Sequence, residues 1–309
     1  MKLNRRKFLK LAAIAGCVGC GSAKSVAKHG FAVWGGPGIR KGFFRRPRAI
    51  EVNGDEVYVI DTTGRVQVFS MDGVHLRQWT VPEVDNGTPT GISFGVEGRV
   101  LIPDTHYGRI LEYSLTGDLL ETWGSYGTGE EQFIYATGIR QMADGTYYIS
   151  EYGVGAERVH VFDSGKRFKL QWGGPGSDPG MFSRLMSIST DEDEAIYVVD
   201  TCNHRIQRFD REGTYISSIG EAGSGAGQIK FPHDMAFAPD GSILVCEFGN
   251  HRISRFTRDG SFVASYGRPG AGLGEFNGPR GIATSDDGKV YVADTDNHRV
   301  QIFTIGGTA

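Results

Sequence analysis

The chain has 309 residues, 39% of them hydrophobic and 22% charged, which is ordinary globular composition with length enough for a buried core. Its 46 glycines call for many turns and so many short strands, and four cysteines are too few for a disulfide-built scaffold. Formal charge is −3, but Lys2, Arg5, Arg6, Lys7, Lys10 and Lys24 fall in residues 1–27 without an acid, and removing these six cations leaves −9 on the remainder. A field of that sign repels phosphate backbones and argues against nucleic acid as a partner.

The first element is a basic start followed by a short apolar run, Leu11 to Val18, too short to span a bilayer as a helix. Arg5-Arg6 followed by Phe8-Leu9-Lys10 resembles the twin-arginine export motif, which carries folded proteins out of the cytoplasm. Ile14-Ala15-Gly16-Cys17 resembles a bacterial lipobox, with Cys17 as the acylated residue; Cys17-Val18-Gly19-Cys20 is a poorer second match. Cleavage after Ser25-Val26-Ala27 is the alternative. Residues 1–27 are expected to be an export signal with a tether, and 28–309 the folded domain. The expected location is periplasmic or otherwise extracytoplasmic, on a membrane surface if Cys17 carries lipid.

Self-similarity dominates the rest. A strand ending in an acid recurs at Asp61, Asp104, Glu151, Asp200, Glu247 and Asp294, at spacings of 43, 47, 49, 47 and 47. An arginine opening the next strand recurs at Arg65, Arg109, Arg158, Arg205, Arg252 and Arg299. Each unit reads as four short strands; in the fifth they are 234–238, 242–247, 251–257 and 261–266. A Gly-rich link ending in an aromatic follows, as in Gly267 to Phe276. The expected fold is all-β: a six-bladed β-propeller of four-stranded antiparallel blades. The sixth unit lacks its outer strand, and residues 31–38 match 169–176 of the third. An N-terminal strand is therefore expected to complete the last blade and close the ring.

Asn203-His204-Arg205, Asn250-His251-Arg252 and Asn297-His298-Arg299 make the chain resemble NHL-repeat propellers across residues 31–309. The resemblance implies a monomeric binding scaffold with no catalytic set, cofactor or metal, facing a protein, peptide or small anionic ligand. The alternative it implies is a lyase or hydrolase akin to the peptidyl-amidoglycolate lyases, whose zinc is held by histidines of Pro-His motifs. Only Pro232-His233 matches that pattern, and one histidine cannot supply a three-ligand site.

The acid–arginine pairs occur in every unit, which points to architecture. The loop histidines His106, His204, His251 and His298 sit in separate blades about 10 Å apart and cannot share one ion. The asymmetric feature is the ring of residues at the start of each inner strand: Arg48, Thr90, Thr137, Leu185, His233 and Arg280. Arg48, His233 and Arg280 are consecutive around the ring and suit a carboxylate, phosphate or sulfate. Acids such as Asp234 are the competing partners. Cys202 and Cys246 occupy non-equivalent positions and are expected to be free thiols, with a disulfide as the alternative.

Overall fold

The computed structural model describes residues 30–153 and 155–305. The expected export motif at Arg5 and Arg6 and the lipidation at Cys17 lie outside them. Among the described residues no helix is long and apolar enough to cross a membrane.

Six four-stranded antiparallel sheets follow one another, the first five in simple meander order. Blade five illustrates them: Pro232–Phe237 innermost, then Ile243–Glu247, Arg252–Phe256 and Phe262–Tyr266 outermost. In blade six the outer strand is Ala32–Gly35, paired with Arg299–Thr304 in the register Ala32↔Ile302 to Gly35↔Arg299. The ring is thus closed by the N-terminal strand, as the repeat of residues 31–38 requires.

The inner strands and the middle of each blade are hydrophobic on both faces, because each sheet packs on two neighbours. The cores accordingly lie between blades. One joins Trp34, Tyr291 and Ala293 of blade six to Val57, Val59 and Phe69 of blade one. Five of the six crossovers add a buried apolar plug: Phe44, Phe133, Phe182, Ile229 and Phe276, all fully buried. The glycine ending an outer strand makes room for that plug. At Gly35 (φ 90°) a Cβ would come within 2.5 Å of the Phe44 ring, and at Gly267 (φ 92°) within 2.4 Å of Phe276.

All six acid–arginine pairs are formed. Their partners explain why the pair recurs. Glu247 accepts from the Arg252 Nε at 2.8 Å and from the backbone N–H of Lys230 at 3.0 Å. Arg252 also donates to the carbonyls of Ser224, Gly225 and Gln228. The pair is a clamp that fastens a glycine-rich crossover to its blade. Cys202 and Cys246 are free; burial pushes the Cys246 thiol well up.

Candidate functional site

Strand direction places the crossovers, the histidine loops and the starts of the inner strands on one face of the disc. At the start of the inner strands of blades one, three, four and five a β-bulge interrupts the ladder, as between Pro47 and Ala49 and between Pro232 and Asp234. The bulged residue, Arg48 or His233, has no partner in the ladder and is turned toward the axis. Arg48, Thr90, Thr137, Met186, His233 and Arg280 all line the axial channel.

The fourth member corrects the sequence expectation. Leu185 pairs with Asp200 and is fully buried, and the bulge falls at Met186. Blades one, two, five and six mark the position before the ring with Pro47, Pro89, Pro232 and Pro279; the fourth has leucine there. A better marker was available. The ring residue follows the crossover plug by four, from Phe44 to Arg48 and from Ile229 to His233, which selects Met186 after Phe182.

The two threonines line the channel, but their hydroxyls are engaged. Thr90 Oγ1 lies 3.0 Å from Thr105 Oγ1, and Thr137 donates to the Leu185 carbonyl at 3.0 Å. Arg48, His233 and Arg280 differ. Among the described residues neither arginine has a carboxylate within ion-pair distance. The Arg280 guanidinium lies 4.6 Å over the Phe248 ring, and its buried Nε has no hydrogen-bond partner. His233 is only 8% exposed, tilts against Phe248 at 5.2 Å, and its ring makes no hydrogen bond.

Charge accumulates at this mouth. Burial, then Arg280, Arg184 and Arg48, hold the His233 imidazole well below its ordinary value, so it is neutral at pH 7. Burial, then Arg48 and Arg46, bring Arg280 down to about 10. Burial and Arg46 lower Arg48 as well. Burial is the larger cause in each case, and the neighbouring guanidiniums add to it; an incoming anion would relieve the second part.

Asp234 does not neutralise it. The Asp234 carboxylate accepts from the Ser187 hydroxyl at 2.7 Å and from the Ile282 N–H at 3.0 Å, binding three inner strands together one layer down. Burial raises it to about 6. Below it Arg140 and Glu51 pair across the axis at 3.0 Å. With Gly91, Gly138 and Gly281 admitting close strand approach in the same layer as Asp234, the space at the axis is only about 30 Å³, room for about two waters. A ligand therefore meets the mouth and not the interior. Spacing alone did not reveal the Glu51–Arg140 layer, because those positions are Ser, Ala or charged from blade to blade.

The loop histidines face the neighbouring blade. His204, His251 and His298 each accept through Nδ1 from a backbone N–H of the next blade: Phe231, Gly278 and Arg46, at 3.0, 2.9 and 3.1 Å. They are interblade ties. Among the described residues no group of three or more His, Cys, Asp or Glu is placed to hold a metal ion. The ring offers one imidazole, two guanidiniums, two hydroxyls and a thioether, a donor set that does not fit a three-histidine zinc site.

A closed ring of six four-stranded blades around an axial channel is a β-propeller. Three of its units, residues 182–209, 230–256 and 276–303, match the NHL repeat family model. The chain is 30% identical to NHL repeat-containing protein 3 of Homo sapiens over 166 residues, covering 49% of this chain and 47% of that protein; the Mus musculus protein matches similarly over 165 residues. The chain spans about half the length of the curated relatives it matches. Among solved structures it is similar to a streptogramin B lyase (TM-score 0.64, 15% identity, 89% of this chain and 98% of that one). It is also similar to an auxiliary nutrient binding protein from Bacteroides thetaiotaomicron (TM-score 0.64, 15% identity, 84% and 69%). At these identities the likeness shows the fold alone.

Proposed function

We propose that this propeller is a non-catalytic binding scaffold that takes an anionic group of its ligand at the mouth of the axial channel. One observation carries the reading: Arg48 and Arg280 share the mouth with a nine-tenths-buried His233, and among the described residues none of the three has a carboxylate partner. Guanidiniums without acids are costly to bury and suit carboxylate, phosphate or sulfate. The reading includes export through Arg5-Arg6 and anchoring through Cys17. Ala32 lies at the far end of its strand from the mouth, since Gly35 pairs with Arg299 beside the histidine loop. An anchored chain would thus present the mouth away from the membrane. The protein is proposed to act as a monomer, without nucleic acid.

The test is calorimetric titration with citrate and phosphate. Wild type is expected to bind one or both, and Arg48→Ala/Arg280→Ala to lose binding at an unchanged Tm. Binding unaffected by the double substitution would overturn the reading.

A second reading, a lyase, is favoured by His233 itself, a neutral imidazole free to accept a proton at a channel mouth. Turnover lost in His233→Ala and retained in Arg48→Ala would favour it.

A further inference from the structure

The crossover into blade one breaks the sixfold pattern. Its residues 40–48 hold Arg40, Lys41, Arg45, Arg46 and Arg48, five cations and no acid, in a body that carries −9 after the first 27 residues. The crossovers into blades two and three are of opposite sign, with Glu83 and Asp85 in one, Glu130 and Glu131 in the other, and no cation in either. Elements shared by all blades serve the architecture; this charge is unique to one.

Among the described residues only Arg46 of these cations has a carboxylate partner, Asp296 at 2.9 Å. Arg40 stacks on the Phe43 ring at 4.8 Å, which fixes it without neutralising it. Lys41 bears electrostatically on His75 of the outermost strand of blade one. At the other end Arg46 and Arg48 bear on Arg280 at the axis. The crossover therefore runs as a strip of positive charge from the rim of the disc to the channel mouth. Arg40 and Arg48 are eight residues apart, so the strip is at most about 28 Å long.

We infer that the ligand is an extended acidic peptide, lying along residues 40–46 with its terminal carboxylate at Arg48 and Arg280. This rests on the anion site proposed above. Three features select the ligand. Most of the cations are arginines, which grip carboxylates in bidentate fashion. The cations fall within residues 40–48, whose full extension is no more than the reach of about eight extended residues. The strip also ends where the axis has room for about two waters, so the chain stops at the mouth and cannot thread through.

The probes are a hexaglutamate peptide with a free C-terminus, its C-terminal amide, and N-acetylglutamate, titrated into the full chain at low salt. Hexaglutamate is expected to bind about tenfold more tightly than N-acetylglutamate, the sum of about three exposed charge pairs of roughly 0.5 kcal/mol each. Arg40→Ala/Lys41→Ala/Arg45→Ala is expected to abolish that advantage and leave N-acetylglutamate unchanged. The amide is expected to bind more weakly than the free acid. Equal affinity for hexaglutamate and N-acetylglutamate would overturn the inference while leaving the anion site intact. Loss of both in Arg48→Ala/Arg280→Ala is expected; no binding of either probe by wild type would overturn both. Preference for oligogalacturonate or oligothymidylate over hexaglutamate would overturn the inference in favour of an acidic glycan or a nucleic acid.

Discussion

His298 Nδ1 accepts a hydrogen bond from the backbone N–H of Arg46 at 3.1 Å, joining residues 252 positions apart in the chain. Both sit in the left-handed region, at φ 57° and 53°, so two strained backbones meet where the last repeat touches the first. Asp296, one turn before His298, binds the Arg46 side chain as well. The same contact thus closes the ring and sets the inner end of the basic strip.

Removing that acceptor weakens closure. His298→Ala is expected to cost about 1 kcal/mol, from one lost hydrogen bond, since the positive φ strains histidine and alanine alike. His298→Gly, which loses the bond but relieves the strain, is expected to cost less. Urea melts of both variants check this, and an alanine variant no less stable than the glycine variant would contradict it.

The clamps should differ in worth according to what the arginine holds. Arg252 secures buried Glu247 and three crossover carbonyls, and Arg252→Met is expected to cost about 3 kcal/mol or more. Arg109 pairs with Asp104 and with the exposed Glu83 but grips no crossover carbonyl. Arg109→Met is expected to cost roughly half as much. Equal losses in denaturant melts would refute the clamp account.

Closure by the N-terminal strand rests on Trp34, 4% exposed and 4.4 Å from the Phe69 ring. Trp34→Ala is expected to cost about 3–5 kcal/mol and to speed proteolysis between blades six and one. Cleavage distributed evenly over the crossovers would argue against a single weak seam.

Acid should destabilise the fold through its neutral histidines. His233, His106 and His204 all titrate below their ordinary value, each chiefly through burial. The unfolded chain then binds more protons. Their stabilisation is complete above about pH 6.5 and is lost as pH falls from there toward the folded values, most steeply for deeply buried His233, at up to about 1.4 kcal/mol per pH unit. Asp234 opposes this: raised to about 6, it adds stability as pH falls from about 6 to about 4. His233→Gln is expected to flatten the acid limb by about one group's slope. An unchanged limb would place His233 outside the titration.

The fold was legible because its signals repeat. Acid, arginine and glycine markers occur six times, and the match of residues 31–38 to an outer strand identified the closing piece. Of the site, Arg48, His233 and Arg280 were legible from their place at inner-strand starts. Met186 was displaced by one residue because leucine stands where other blades carry proline. The engagement of Thr90 by Thr105 within its own blade, and of Thr137 by the Leu185 carbonyl of the next, depends on groups distant in sequence, which no local pattern encodes. The strip of cations was visible in the sequence but was cancelled in the net charge, and only the missing ion pairs give it meaning.

The most direct measurement is anomalous diffraction from a crystal of the protein soaked in selenate. The expected result is a selenium peak at the axial mouth, within hydrogen-bond reach of both the Arg48 and Arg280 guanidiniums. Selenate bound elsewhere on the disc with the mouth holding only water would contradict the assignment of the axial mouth as the anion site.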